Sequence, residues 1–235
     1  MVASTSTRLG RDIRASIPGA AEVVGYLTLA DRDASIWKAA LPLLGVRNND
    51  GHSLYAYGMA RALLLRIPEA RERIVLPAIL LHDIGWSTVA DDLILEAIAP
   101  GGGRHDLVVH HERVGASLAR EILERLGIDA GDVEEITAII DGHDTRADAI
   151  SIEDAIVKDS DKLWRLTPHG IRTVQGWFSL TEEEALRLCC VRVHDRLFTE
   201  AARAIAAGLS AVTSIDISPQ GRAVPDPLSP PPPVS

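Results

Sequence analysis

Cysteine is nearly absent from this 235-residue chain, and the two that occur, Cys189 and Cys190, are adjacent. Neighbouring residues lack the geometry for a disulfide with each other, and no Cys-x-x-Cys pair exists to bind a metal through thiolates. Two small buried hydrophobic residues in a reducing, cytoplasmic setting are expected instead. Basic residues are in deficit, with 24 Lys and Arg against 33 Asp and Glu and a net charge of −9. Unaided, non-specific binding of nucleic acid needs clustered cations, so that partner is not expected, whereas a small phosphorylated molecule held through metal ions is compatible. No uncharged apolar stretch reaches the roughly 18 residues of a membrane span. The first 25 residues hold no apolar run behind a basic start, so neither a membrane helix nor a secretory leader is expected. Alternating β-branched strand patterns are scarce as well.

What is present is helical. Ala, Leu, Arg and Glu dominate, and apolar residues recur with a period near 3.6. Helices are expected over 20–30, 34–44, 52–67, 71–84, 89–97, 106–127, 131–143, 151–166, 181–194 and 197–209, in an all-α fold. Turn chemistry separates them at Asn48–Gly51, at Pro100–Gly103 and at Gly127. Residues 1–18 are expected to be a flexible lead-in, 19–215 a single domain, and 216–235, rich in Pro and Ser, a disordered tail.

Several of the eight histidines fall within apolar helices. A buried imidazole needs partners for both ring nitrogens, and several converging with aspartates are better explained by a metal than by chance satisfaction in the core. Residues 73–81 are apolar on every side and predict a central buried helix, with His82 and Asp83 at its C-terminal end. A carboxylate there is desolvated and faces the negative end of the helix dipole, so a cation is needed nearby. Between 107 and 126, Leu107, His111, Val114, Leu118 and Ile122 form one face, which turns His111 inward and His110 towards solvent. Val133, Ile136, Ile140 and His143 form another inward stripe, and His52 shares a face with Tyr55, Met59 and Leu63. Periodicity leaves Asp159 and Asp161 undecided, since each shares a face with apolar residues.

The ordered set His52, His82-Asp83 and a later aspartate resembles the H…HD…D signature of the HD superfamily. LLHDIG at 80–85, HERVGASLAREILERLGI at 111–128 and VKDSDKL at 157–163 resemble that family's characteristic segments, over roughly 50–165. The resemblance implies a helical bundle with a metal site in its core, and it favours Asp161 over Asp159. It further implies one metal held by His52, His82, Asp83 and Asp161, with Asp83 bridging to a second held by His111 and His143. The metals would be two divalent ions drawn from Fe, Mn, Mg, Co and Zn. Trp86 stands where the HD-GYP subgroup carries a lysine, and its GYP element is missing, which argues against cyclic-dinucleotide hydrolysis.

The activity implied is hydrolysis of a small phosphorylated or nucleotide-like substrate by a metal-activated water, with Asp83 at the reacting centre. Asp144 or Glu112 is expected to relay a proton. Lys162, Arg146 and Arg165, with Arg172, are candidate phosphate binders because they lie near the ligands in sequence. The same six-ligand set also resembles the mixed-valent di-iron oxygenases of the superfamily, and a metal-stabilised binding domain without catalysis is a third reading. A homo-oligomer is compatible with all three. Trp86, Trp164, Trp177 and Phe178 are candidates for shaping the pocket.

Overall fold

The computed structural model describes residues 13–26 and 28–224. They form helices α1 (Asp31–Ala40), α2 (Asn49–Leu64), α3 (Glu72–Leu81), α4 (Asp91–Ile98), α5 (His105–Arg125), α6 (Ala130–Ile140), α7 (Ile152–Leu163), α8 (Pro168–Phe178), α9 (Glu182–His194), α10 (Glu200–Ile217) and α11 (Pro219–Arg222). No strand occurs among the described residues. None of these helices is long and apolar enough to cross a membrane.

The all-apolar segment lies where its composition requires. Every residue of α3 from Ile74 to Leu81 is buried, and α1, α2, α6 and α7 pack around it. A helix with no polar face can only be stable with neighbours on all sides. α8, α9 and α10 then pack in sequence along the side presented by α7 and the 3-10 turn Trp164–Leu166.

One close approach sets the position of α5. The 3-10 turn Ile84–Thr88 follows the HD doublet and lies against α5. A Cβ built at Gly85 would come within 2.0 Å of the His111 carbonyl oxygen and 2.7 Å of the Gly115 amide nitrogen. Only the missing side chain at Gly85 lets the backbone carrying His111 come this near to the backbone carrying Asp83.

Two expected elements differ from those found, and one helix was not expected. The helix over 20–30 does not form: among its described residues there is only the 3-10 turn Ala20–Glu22, and Val24 remains 86% exposed. Pro18-Gly19 and Gly25, the latter at φ +82°, bracket too short a segment, and its apolar side chains stay exposed. α8 was not anticipated, because Gly170 and Gly176 dilute its periodicity. Its start carries a clear signal all the same: Thr167 caps Gly170 N through its hydroxyl, and Pro168 occupies the first helical position. The expected tail from 216 is helical at its outset, through the end of α10 and through α11. Residues 1–12 of the lead-in and 225–235 of the tail lie outside the described residues.

Candidate metal centre

Five segments deliver the side chains. His52 lies in the second turn of α2. His82 and Asp83 follow the last residue of α3. His111 lies on α5, His143 in the turn after α6, and Asp161 on α7. His143 had been expected at the end of a helix running to 143. α6 stops at Ile140 instead, and Gly142, at φ +113°, reverses the chain so that His143 turns back towards the core. All six side chains are buried.

Their donor atoms form two adjoining clusters. In the first, His52 Nε2 lies 2.9 Å from His82 Nε2 and 3.2 Å from Asp161 Oδ1, and His82 Nε2 lies 3.6 Å from the same carboxylate oxygen. Asp83 Oδ2 completes it, 3.7 Å from His52 Nε2 and 3.6 Å from His82 Nε2. In the second, His111 Nε2 and His143 Nε2 are 3.4 Å apart, and Asp83 Oδ1 lies 3.5 and 3.6 Å from them. Asp83 therefore presents one oxygen to each cluster. Asp144 Oδ2 stands 3.7 and 3.8 Å from the two imidazoles of the second.

The HD-domain family model matches residues 49–166, half of the chain. The chain belongs to the HD-domain family. No curated protein and no solved structure matches it.

The donor set of this HD domain fits cations. Around an ion with ligands at ~2.1 Å, neighbouring donors lie about 3.0–3.4 Å apart, close to the separations above. His82 Nδ1 lies 2.8 Å from Ile79 O and His143 Nδ1 2.9 Å from Ile140 O. A carbonyl can only accept, so each Nδ1 carries the proton and donates it there. In the neutral ring, that leaves an Nε2 lone pair aimed into the cluster. Burial, outweighing a hydrogen bond with Asp161, pushes His52 down to about 4, which makes it a neutral donor. His52 Nε2 converges on the same point, 2.9 Å from His82 Nε2, and its own Nδ1 has no hydrogen-bond partner among the described residues. The buried His and Asp groups can thus hold metal ions. Aromatic rings hold the two remaining imidazoles. Trp86 stacks on His111 at 4.0 Å and 12°, and Trp164 lies 4.4 Å from His52.

Charge around the carboxylate shared by the two clusters is balanced from two sides. Burial would raise the Asp83 carboxyl, but the charges of His82 and Arg47 and the hydrogen bonds of His111 and His143 hold it well below the usual carboxylate range. His143 shows the reverse balance: burial pushes it down, yet Asp83 and Asp144 draw it up to about 9, so a cation bound there would have to displace the proton on Nε2.

The other anticipated residues occupy distinct places. Arg165 lines a cavity of about 190 Å³ that also reaches Asp83, Asp144 and Asp161. Its Nη1 donates to Asp161 O at 2.7 Å and lies 3.5 Å from Asp161 Oδ1. Lys162 and Arg146 border a neighbouring opening that meets His143 and Asp144. The Arg146 guanidinium is occupied there by the Ala138 and Asp141 carbonyls and by Asp154. Arg172 is exposed at the surface. His110 is exposed and pairs with Thr88. Glu112 is buried, away from the clusters, where its two oxygens accept from Asp144 N at 2.7 Å, Thr145 N at 2.9 Å and Thr145 Oγ1 at 2.6 Å. It ties down the turn that carries His143 and Asp144. Asp159 is buried too, but it accepts from Phe198 N, Thr199 N and Thr199 Oγ1 and so anchors the start of α10. Among the pocket aromatics, Trp177 and Phe178 line the cavity, while Trp86 and Trp164 back the imidazoles.

Sequence reasoning missed four residues. Arg47, at φ +54°, donates from Nη2 to Asp83 Oδ2 at 2.7 Å and lies between the rings of Trp86 and Trp177. It sits in the Arg47–Gly51 run, whose only visible signal is a turn. Lys158 is buried, and its ammonium donates to the carbonyls of Gly142, His143 and Arg146. Arg192 and Arg196 line the cavity from α9 and the turn after it. With Leu188 they repeat every four residues, a helical stripe that could have been recognised.

Proposed function

We propose that this HD domain is a metal-dependent phosphohydrolase that releases phosphate from a small phosphorylated substrate. The observation that carries this reading is the shared cavity: Asp83, Asp144 and Asp161 open onto the same space as Arg47 and Arg165. Divalent cations held by the two clusters would lower the pKa of a coordinated water and neutralise phosphoryl oxygens. Nitrogen and carboxylate donors without thiolate suit Mn, Fe, Co or Zn.

The chain's own groups account for the rest. Arg47 and Arg165 present guanidinium groups that can bind phosphoryl oxygens through paired hydrogen bonds. Asp144 is the one anticipated relay residue open to the cavity, with its side chain 35% exposed. It takes the proton of the attacking water as the new P–O bond forms and the ester P–O bond breaks. The departing alkoxide oxygen takes a proton from cavity solvent. Glu112 is a positioning residue, holding the Asp144 amide so that the carboxylate stays beside His111 and His143.

The test is phosphate release by manganese- or iron-loaded protein from a panel of phosphomonoesters, phosphodiesters and nucleotides, run with and without oxygen. Release that persists anaerobically supports hydrolysis. Substrate-dependent oxygen uptake without phosphate release overturns it in favour of an oxygenase.

A further inference from the structure

The wall of the cavity opposite the donor clusters comes from α8, α9 and the turn after α9, beyond the matched residues 49–166. It combines an apolar surface, including Trp177, Phe178 and Leu188, with Arg192 and Arg196. Arg47 and Arg165, nearer the clusters, are each ion-paired, with Asp83 and Asp161 respectively. Arg192 and Arg196 form no ion pair among the described residues. Among those residues the Arg192 side chain donates only to Ile98 O, at 3.2 Å, from a partly buried position. Burial lowers its pKa, and the charges of Arg165 and Arg196 lower it further, so the guanidinium groups repel one another across the cavity. The charge of Asp144 offsets this only in part, and keeping cations together in a partly desolvated site is unfavourable unless an anion joins them. Cys189 lines the same wall, but burial pushes its thiol up to about 11, so it is a neutral contact and not a nucleophile.

We propose that Arg192 and Arg196 form a second anion subsite, and that the substrate is a short phosphate ester with another anionic group beyond an apolar segment. This rests on the phosphohydrolase reading for the orientation of the phosphate, but the subsite itself is a binding claim. The cavity, about 190 Å³, is below the ~300–1,000 Å³ of pockets that enclose drug-sized ligands. A compact dianionic molecule suits that space better than a nucleotide. The apolar wall covers the linking carbons, and the two arginines discriminate against an analogue that lacks the distal charge.

Calorimetry on manganese-loaded protein with two phosphonates that cannot be hydrolysed at an ester bond isolates the subsite. 3-Phosphonopropionate carries a distal carboxylate, and propylphosphonate has a methyl group in its place. Charge-assisted hydrogen bonds to the carboxylate are expected to give roughly tenfold or greater preference for the first. That ratio should collapse towards one in Arg192→Gln and in Arg196→Gln. Arg196 is exposed, so its variant serves even if Arg192→Gln folds poorly once the bond to Ile98 is lost. Equal binding of the two phosphonates by the unaltered protein, or a preference that survives both substitutions, overturns the subsite. Failure of the hydrolase reading looks different: no phosphate is released from 3-phosphoglycerate or glycerol 3-phosphate while the binding preference persists.

Discussion

Arg47 donates from Nη2 to Asp83 Oδ2 at 2.7 Å, to the one carboxylate that faces both donor clusters. Its Nε and Nη2 also donate to Asn49 Oδ1, at 3.1 and 3.0 Å, and Trp86 and Trp177 flank the guanidinium. A single cation therefore links the carboxylate shared by the two clusters to the cavity wall. Arg47→Gln is expected to keep both metals and to lower kcat by about 10²-fold, the scale of losing one fixed charge stabiliser. Metal content by elemental analysis, beside the phosphate-release rate, checks this. Loss of metal in proportion to activity would assign Arg47 to holding Asp83 alone.

The bridge predicts an uneven response to ligand removal. Asp83→Ala should lose most of the metal, because its two oxygens serve both clusters. His111→Ala should lose about one equivalent, whereas the exposed neighbour His110→Ala should lose none. Asp144→Asn should retain both metals while losing activity. Metal stoichiometry of the four purified variants decides the matter, and a reversed order for the two histidines would falsify the assignment of the α5 face.

Lys158 acts on the centre from a distance. Its buried ammonium gathers three carbonyls of the turn that delivers His143 and Asp144. Lys158→Met leaves those carbonyls without their donor, at a cost of roughly 1–3 kcal/mol per unsatisfied group. Urea unfolding should register the loss, and the second metal should bind more weakly than the first. Equal weakening of both would mean that the turn is not held by this contact.

Acid should weaken the fold through Glu153. Burial raises its carboxyl, but hydrogen bonds from the Arg71 side chain and backbone more than offset this and hold it at about 2, against an ordinary 4.5. The folded state therefore binds the proton less readily than the unfolded chain. The contribution is complete above pH 4.5 and disappears as pH falls towards 2. Melting temperature measured over that interval should fall more gently in Glu153→Gln than in the unaltered protein. Parallel curves would remove Glu153 from the account.

Gly85 offers a packing test. Gly85→Ala places a methyl group 2.0 Å from the His111 carbonyl, so α5 must move. Overpacking of this kind costs about 1–3 kcal/mol. The melting temperature should drop, and metal at the second cluster should be lost along with it. A variant with unaltered melting and full metal content would show that the approach is not tight in solution.

Much of this protein was legible from the order of its residues. The apolar run before His82 placed α3 at the centre, since a helix without a polar face must be surrounded. The stripe through His111 separated it from His110, and the HD pattern pointed to the family. These inferences succeed because burial imposes a local period on the chain. Tertiary structure alone decided the rest. α7 is buried on nearly every side, so no period could distinguish Asp159, which holds the start of α10, from Asp161, which faces the clusters. Glu112, expected as a possible relay beside Asp144, is a tether, because its partners lie 32 and 33 residues away in sequence. Arg47 reached Asp83 across 36 residues, and α8 and α9 closed the cavity from beyond the matched domain. Periodicity reports which side of a helix is covered. Which group covers it follows from how distant segments pack, and no local pattern in the sequence encodes that.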